Sequence, residues 1–283
     1  MQALERDVAR YHDPRPLSRL TMSLGPTTPT YARPDVMKGI AAIAKGGGLG
    51  LHTHFHPRPG ERELVRQLLG MTPMEFLGEM GWLHERTFLA HCTQLDDEEI
   101  TQFAWHGVAV VHCPHTILRL GYPMTRIAQL RRAQVRIGLG VDGSASNDGG
   151  SFIGEMRLAL LLHRVNGDCR DDPESDWMLP DEVLYMATRQ AAGILGRSDI
   201  GHLAPGMAAD LNAFDLERVA RAGATDPLGA VLFAGNDGPA SLTMVGGRVL
   251  VRQGDLAIAD EREISRAANV RAAGLLERSS KQS

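Results

Sequence analysis

Four short apolar runs in this chain end in side chains that bind metals or move protons: Leu49–His54, Thr87–Cys92, Val108–Cys113 and Val135–Asp142. The first closes on His52-Thr53-His54, the second on His91, the third on His112 and the fourth on Asp142. Imidazoles and a carboxylate at neighbouring strand ends can converge on one divalent cation, and the carboxylate can also take a proton from an activated water. A single histidine of this kind is more often a hydrogen-bonded core residue; four strand ends together favour a site. His52, His54 and His56 alternate, and on an extended strand alternate residues share a face, so His52 and His54 can point together while one of the three orients a loop. The segment Gly138-Leu139-Gly140-Val141-Asp142-Gly143-Ser144 lacks the spacing of a phosphate-binding loop, and Gly143 is better read as permitting a tight strand exit. His12, His84, His106, His163 and His202 join no constellation and read as surface or structural residues, and Trp82, Trp105, Met71, Met74 and Met80 as packing.

The elements that must hold these side chains are legible. The four runs, preceded by Leu20–Leu24, predict five parallel strands. Between them, Pro34–Lys45 carries Val36, Ile40 and Ile43 on one face behind a proline and stops at Gly46-Gly47-Gly48. Thr72 with Glu75, and Asp96 with Glu99, have capping-box spacing and open two further helices. Thr125–Arg132, Gly154–Val165 and Pro180–Leu195 add three more. Strands separated by helices specify an α/β class with a parallel sheet. After Gly196 the pattern changes to short runs at Ala209–Phe214, Val231–Ala234, Ser241–Val245 and Arg248–Val251, a small β unit with a Gly246-Gly247 turn. A charged helix from about Asp260 to Arg278 is expected to dock on the rest.

The 283 residues are 43% hydrophobic and 23% charged, with 30 Lys and Arg against 34 Asp and Glu. No basic stripe points to nucleic acid, and no apolar run approaches the roughly 20 residues that span a bilayer. Charged residues at the start of the chain, and three cysteines without paired spacing, are expected of a cytoplasmic protein.

In combination, Leu51-His52-Thr53-His54, Gly81-Trp82-Leu83, Leu89-Ala90-His91, Val111-His112-Cys113-Pro114, Gly138 to Asp148 and Leu203 to Leu211 resemble the amidohydrolase superfamily. The resemblance is to the cytosine/guanine deaminase-like branch with 8-oxoguanine deaminases, isoxanthopterin deaminases and triazine hydrolases. It implies a partial (β/α)8 barrel of about the last five βα units over residues 1–198, and part of a small β-sandwich over 199–283. It implies His54, His91 and Asp142 as ligands of a divalent metal, zinc or iron, with Asp142 as proton shuttle and His112 facing the pocket. His52, His115, Arg119 and Ser144 are the expected substrate contacts. The implied reaction is attack of activated water on a C–N carbon of a small heterocycle. Nothing before His52 offers the HxH pair of the family's first strand, so the chain reads as N-terminally truncated relative to the family. Pro57 stands where the family commonly has a glutamate. The expectations that follow are weak metal binding, poor turnover and self-association through an open sheet edge; the alternative is a non-catalytic remnant, or a subunit that needs a partner chain to complete the barrel.

Overall fold

Helix α1 (Gln2–Tyr11) precedes β1 (Ser23–Leu24), α2 (Pro34–Gly47), β2 (Gly50–Phe55), α3 (Glu61–Leu69) and α4 (Pro73–Glu79) in the computed structural model, which describes residues 1–56, 58–165, 177–234 and 238–280. Then follow β3 (Thr87–His91), α5 (Asp97–His106), β4 (Ala109–His112), α6 (Pro114–Leu120), α7 (Ile127–Arg132), β5 (Ile137–Leu139) and α8 (Phe152–Val165). The five strands form one parallel sheet in the order β1-β2-β3-β4-β5. This is the expected α/β architecture.

Local chemistry fixes the connecting helices. Pro34 opens α2, and Gly48, left-handed at φ 65°, ends it. In α5 the Asp96 carboxylate accepts the Glu99 N–H while the Glu99 side chain accepts the Asp96 N–H, and Thr72 and Glu75 do the same for α4. Such reciprocal caps satisfy donors that the first helical turn leaves unpaired.

Burial alternates along β2. Leu51 and Phe55 enter the main core with Leu89, Val110, Ile137 and residues of the covering helices, whereas His52 and His54 lie on the opposite face. On that face Phe88, Ala109 and Ile194 form a smaller buried cluster with Val111 against them, and the His52 ring stacks on Phe88 with centroids 4.8 Å apart. Strand β3 is buried at every position, as a central parallel strand should be.

The predicted helix over Pro180–Leu195 is α9 (Pro180–Tyr185), a π-helical turn (Met186–Gln190) and α10 (Ala191–Ile194). The turn places the Gln190 side chain beside the sheet edge, where its Oε1 accepts the Ile137 N–H at 3.0 Å. Val231–Ala234, expected as a strand, instead belongs to a π-helical turn, Ala230–Ala234, after the short α11 (Pro227–Gly229). Asp226 explains the difference: its carboxylate accepts the Leu228 and Gly229 N–H groups and starts helical winding that the following residues continue. Strands β6 (Leu211–Ala213), β7 (Leu242–Val245), β8 (Arg248–Arg252) and β9 (Asp255–Leu256) make an antiparallel sheet in sequence order. Gly246 and Gly247, both at positive φ, turn β7 into β8. Helix α12 (Glu261–Ser280) has no buried residue, contrary to the docking expected of it: its large apolar side chains Ile264, Val270, Leu275 and Leu276 are all more than half exposed. Among the described residues no helix is long and apolar enough to cross a membrane.

Gln190 supplies the acceptor for a buried donor on an edge strand, so Gln190→Leu is expected to destabilise the fold by about 1–3 kcal/mol. Chemical denaturation checks this, with Gln190→Glu, which keeps an acceptor, close to wild type.

Candidate active site

The β2–β3 ladder pairs His54 with Ala90 and Phe55 with His91. His54 and His91 stack with centroids 5.2 Å apart and planes 12° from parallel. The Nδ1 of His54 bonds the Thr27 carbonyl, leaving Nε2 as its outward nitrogen. His91 ends β3 in the left-handed region at φ 71°, and its own carbonyl accepts the Thr125 hydroxyl at 2.8 Å. Its ring is buried, and Nδ1 has no hydrogen-bond partner. Burial, and then the neighbouring His54, pull the His91 pKa down to about 4, so the imidazole is neutral at physiological pH.

Asp142 lies beyond the end of β5, at φ 59°. Its Oδ2 stands 3.9 Å from His91 Nε2. The carboxylate accepts the Gly143 N–H at 2.7 Å on Oδ1, and the Thr116 and Ser146 hydroxyls at 2.9 and 3.0 Å on Oδ2. Burial acts to raise its pKa; those three donors outweigh burial and hold the group below the ordinary aspartate value. A neutral imidazole therefore faces an ionised carboxylate. Among the described residues, no three His, Cys, Asp or Glu side chains stand close enough to hold one ion jointly.

The other expected residues divide. His52 bonds the Phe88 carbonyl through Nδ1 at 3.1 Å and sits edge-on to His54, with burial lowering its pKa. His112 is fully buried, and its Nε2 lies 3.1 Å from Nε2 of His163 on α8, a structural partner that takes up its hydrogen bonding on that side. His115 reaches the buried Glu155 of α8 through Nδ1 at 2.7 Å. Arg119 pairs with Asp148 at 2.9 Å on the surface, and Ser144 is exposed on the loop after Asp142. Pro57 and Cys169 lie outside the described residues, and Cys92 and Cys113 are buried free thiols. Sequence reasoning missed Thr116, Ser146, Glu155 and His163, as well as Tyr122, whose ring meets His91 edge-on at 6.4 Å. Ser146 lay inside a segment singled out above; nothing in the sequence marked the other four.

A parallel α/β sheet with imidazoles and a carboxylate gathered at its carboxyl edge defines the broad class. The particular assignment comes from comparison: the sequence profile of the amidohydrolase family matches residues 10–250, and the chain belongs to that family. It is 39% identical over 243 residues to the 8-oxoguanine deaminase of Pseudomonas aeruginosa, an alignment covering 86% of this chain and 53% of that protein. It is 35% identical to the hydroxydechloroatrazine ethylaminohydrolase of Pseudomonas sp. (strain ADP), over 94% of this chain and 54% of that one. The crystal structure of the atrazine chlorohydrolase TrzN from Arthrobacter aurescens TC1 complexed with zinc superposes with a TM-score of 0.89 at 38% identity, covering 96% of this chain and 58% of TrzN. The chain thus spans about half the length of the curated relatives it matches.

Each donor on Asp142 favours its charged form, so Thr116→Val with Ser146→Ala is expected to raise the Asp142 pKa. Carbon-detected NMR titration of the side-chain carboxyl checks the direction; an unchanged or lower value contradicts it.

Proposed function

We propose that this chain carries the metal-binding half of a hydrolase that cleaves C–N bonds of small nitrogen heterocycles, a deaminase of the 8-oxoguanine deaminase or triazine hydrolase kind. In this reading the five-stranded sheet is the last part of a (β/α)8 barrel within residues 1–198, and the antiparallel sheet within 199–283 is part of a β-sandwich. The observation that carries it is the stacking of His54 on His91, with Asp142 Oδ2 3.9 Å from His91 Nε2, at the carboxyl ends of neighbouring sheet elements, where catalytic groups of such barrels gather. Identity to two heterocycle hydrolases across most of the chain supports the substrate class.

Two imidazoles and a carboxylate are donor types that suit a divalent cation, with zinc favoured by the zinc-bound TrzN structure, although the three do not close on one point as they stand. His91 is neutral and presents Nε2 toward Asp142, which is ionised, and His54 has one nitrogen committed to backbone, which fixes the presentation of the other. A cation bound there supplies Lewis acidity that makes water nucleophilic near neutral pH. Asp142, held ionised by Thr116, Gly143 and Ser146, is the group able to accept the proton of the attacking water.

The zinc-supplied chain is expected to release ammonia from 8-oxoguanine, guanine, isoxanthopterin or an aminotriazine poorly or not at all, since it lacks the family's first-strand HxH pair. A chelator should abolish release, and Asp142→Asn should reduce it by about 10²–10⁴-fold. Release that survives the chelator, or that is unaffected by Asp142→Asn, overturns the reading.

A further inference from the structure

Glu155, in the first turn of α8, is fully buried as a side chain. Burying a carboxylate is costly unless hydrogen bonds and a counter-charge compensate, so its partners are informative. Its Oε1 lies 2.7 Å from His115 Nδ1 and accepts the Asn147 side-chain amide at 2.6 Å, while Oε2 accepts the His115 backbone N–H at 3.3 Å. His115 belongs to the first turn of α6, and Asn147, itself buried, to the loop that follows Asp142. Asn147 Oδ1 in turn accepts the Gly150 N–H at 3.1 Å and closes that loop on itself.

The residues beside these two anchors are the ones that grip Asp142. Thr116 follows His115, Ser146 precedes Asn147, and both hydroxyls donate to Asp142 Oδ2. Asp142 also sits in the left-handed region, which a residue with a Cβ occupies at a cost and keeps only when its surroundings hold it there. One buried carboxylate therefore fastens both segments that aim the site carboxylate at His91.

We propose that Glu155 and His115 are positioning residues for Asp142, joining the start of α6 to the loop over 142–151 so that the Asp142 carboxylate is presented toward His91. The proposal rests on the metal-ligand reading of Asp142 given above, and it assigns His115 a structural partner in place of the substrate contact expected from the sequence.

Two measurements test it on Glu155→Ala, Glu155→Gln and His115→Gln. In the metal-free protein, hydrogen exchange followed by mass spectrometry is expected to accelerate at least tenfold over 113–121 and 142–151 together in Glu155→Ala and His115→Gln, with β2 and β3 unchanged. Glu155→Gln, which keeps an acceptor oxygen for Asn147, should fall between these and wild type. In parallel, Co²⁺ titrations read by visible absorption should show about 10–100-fold weaker binding in Glu155→Ala and a changed band shape, the scale of losing a residue that orients a ligand. If Glu155→Ala does not fold, the two conservative variants carry the test. Exchange over 142–151 that stays at the wild-type rate, or that rises equally throughout the chain, overturns the proposal. A wild-type chain that binds no Co²⁺ overturns the metal reading instead, and the exchange data still decide whether Glu155 holds the loop.

Discussion

The hydrogen-bond register between β2 and β3 is the constraint on which the rest depends. His54 pairs with Ala90 and Phe55 with His91, so the two histidines are one step out of line across the ladder. Left to the pleat alone, they would project from opposite faces. His91 escapes this by ending its strand at positive φ, with its carbonyl tied to Thr125, and its ring comes to lie flat against His54. A slip of one residue would send His54 into the helix-covered core and Phe55 into the site. The core prevents it: Leu51, Phe55 and Leu89 are each 2% exposed or less and leave no alternative seat.

A second layer of constraint acts through polar groups buried around this pair. Asp142 gains its place from one backbone and two hydroxyl donors, and Glu155 fixes the segments that carry the hydroxyls. Behind His54, the fully buried His56 has left-handed backbone geometry, and its carbonyl accepts the Thr93 hydroxyl at 2.7 Å. Arg62 of α3 then ties Asp96 and Glu99 at the start of α5. The loops at the carboxyl ends of the strands are thus cross-linked to one another, which keeps His54, His91 and Asp142 in place where regular hydrogen-bond ladders end.

How much of this was legible depended on the range of the interaction. Strands β2 to β5 announced themselves because each is a short apolar run between breaks, and α4 and α5 because both partners of the cap lie within four residues. His54, His91 and Asp142 were legible as strand-end chemistry. Thr116, Glu155 and His163 were not, since a threonine, a glutamate and a histidine in helical stretches acquire meaning only from partners 8 to 51 positions away. Val231–Ala234 misled because an apolar run of that length fits a strand and a helical turn equally, and Asp226 upstream decided between them. Helix α6 hid inside the motif that ends β4, where Pro114 both completes the His112-Cys113-Pro114 signature and starts the helix.

X-ray absorption at the zinc edge, on zinc-loaded wild type and on His54→Asn and His91→Asn, tests most directly whether this sheet edge is a metal site. One zinc per chain is expected, coordinated by nitrogen and oxygen, with the multiple-scattering signature of two imidazoles, reduced to one in each variant. Zinc held without imidazole, or held unchanged when both histidines are replaced, would contradict it.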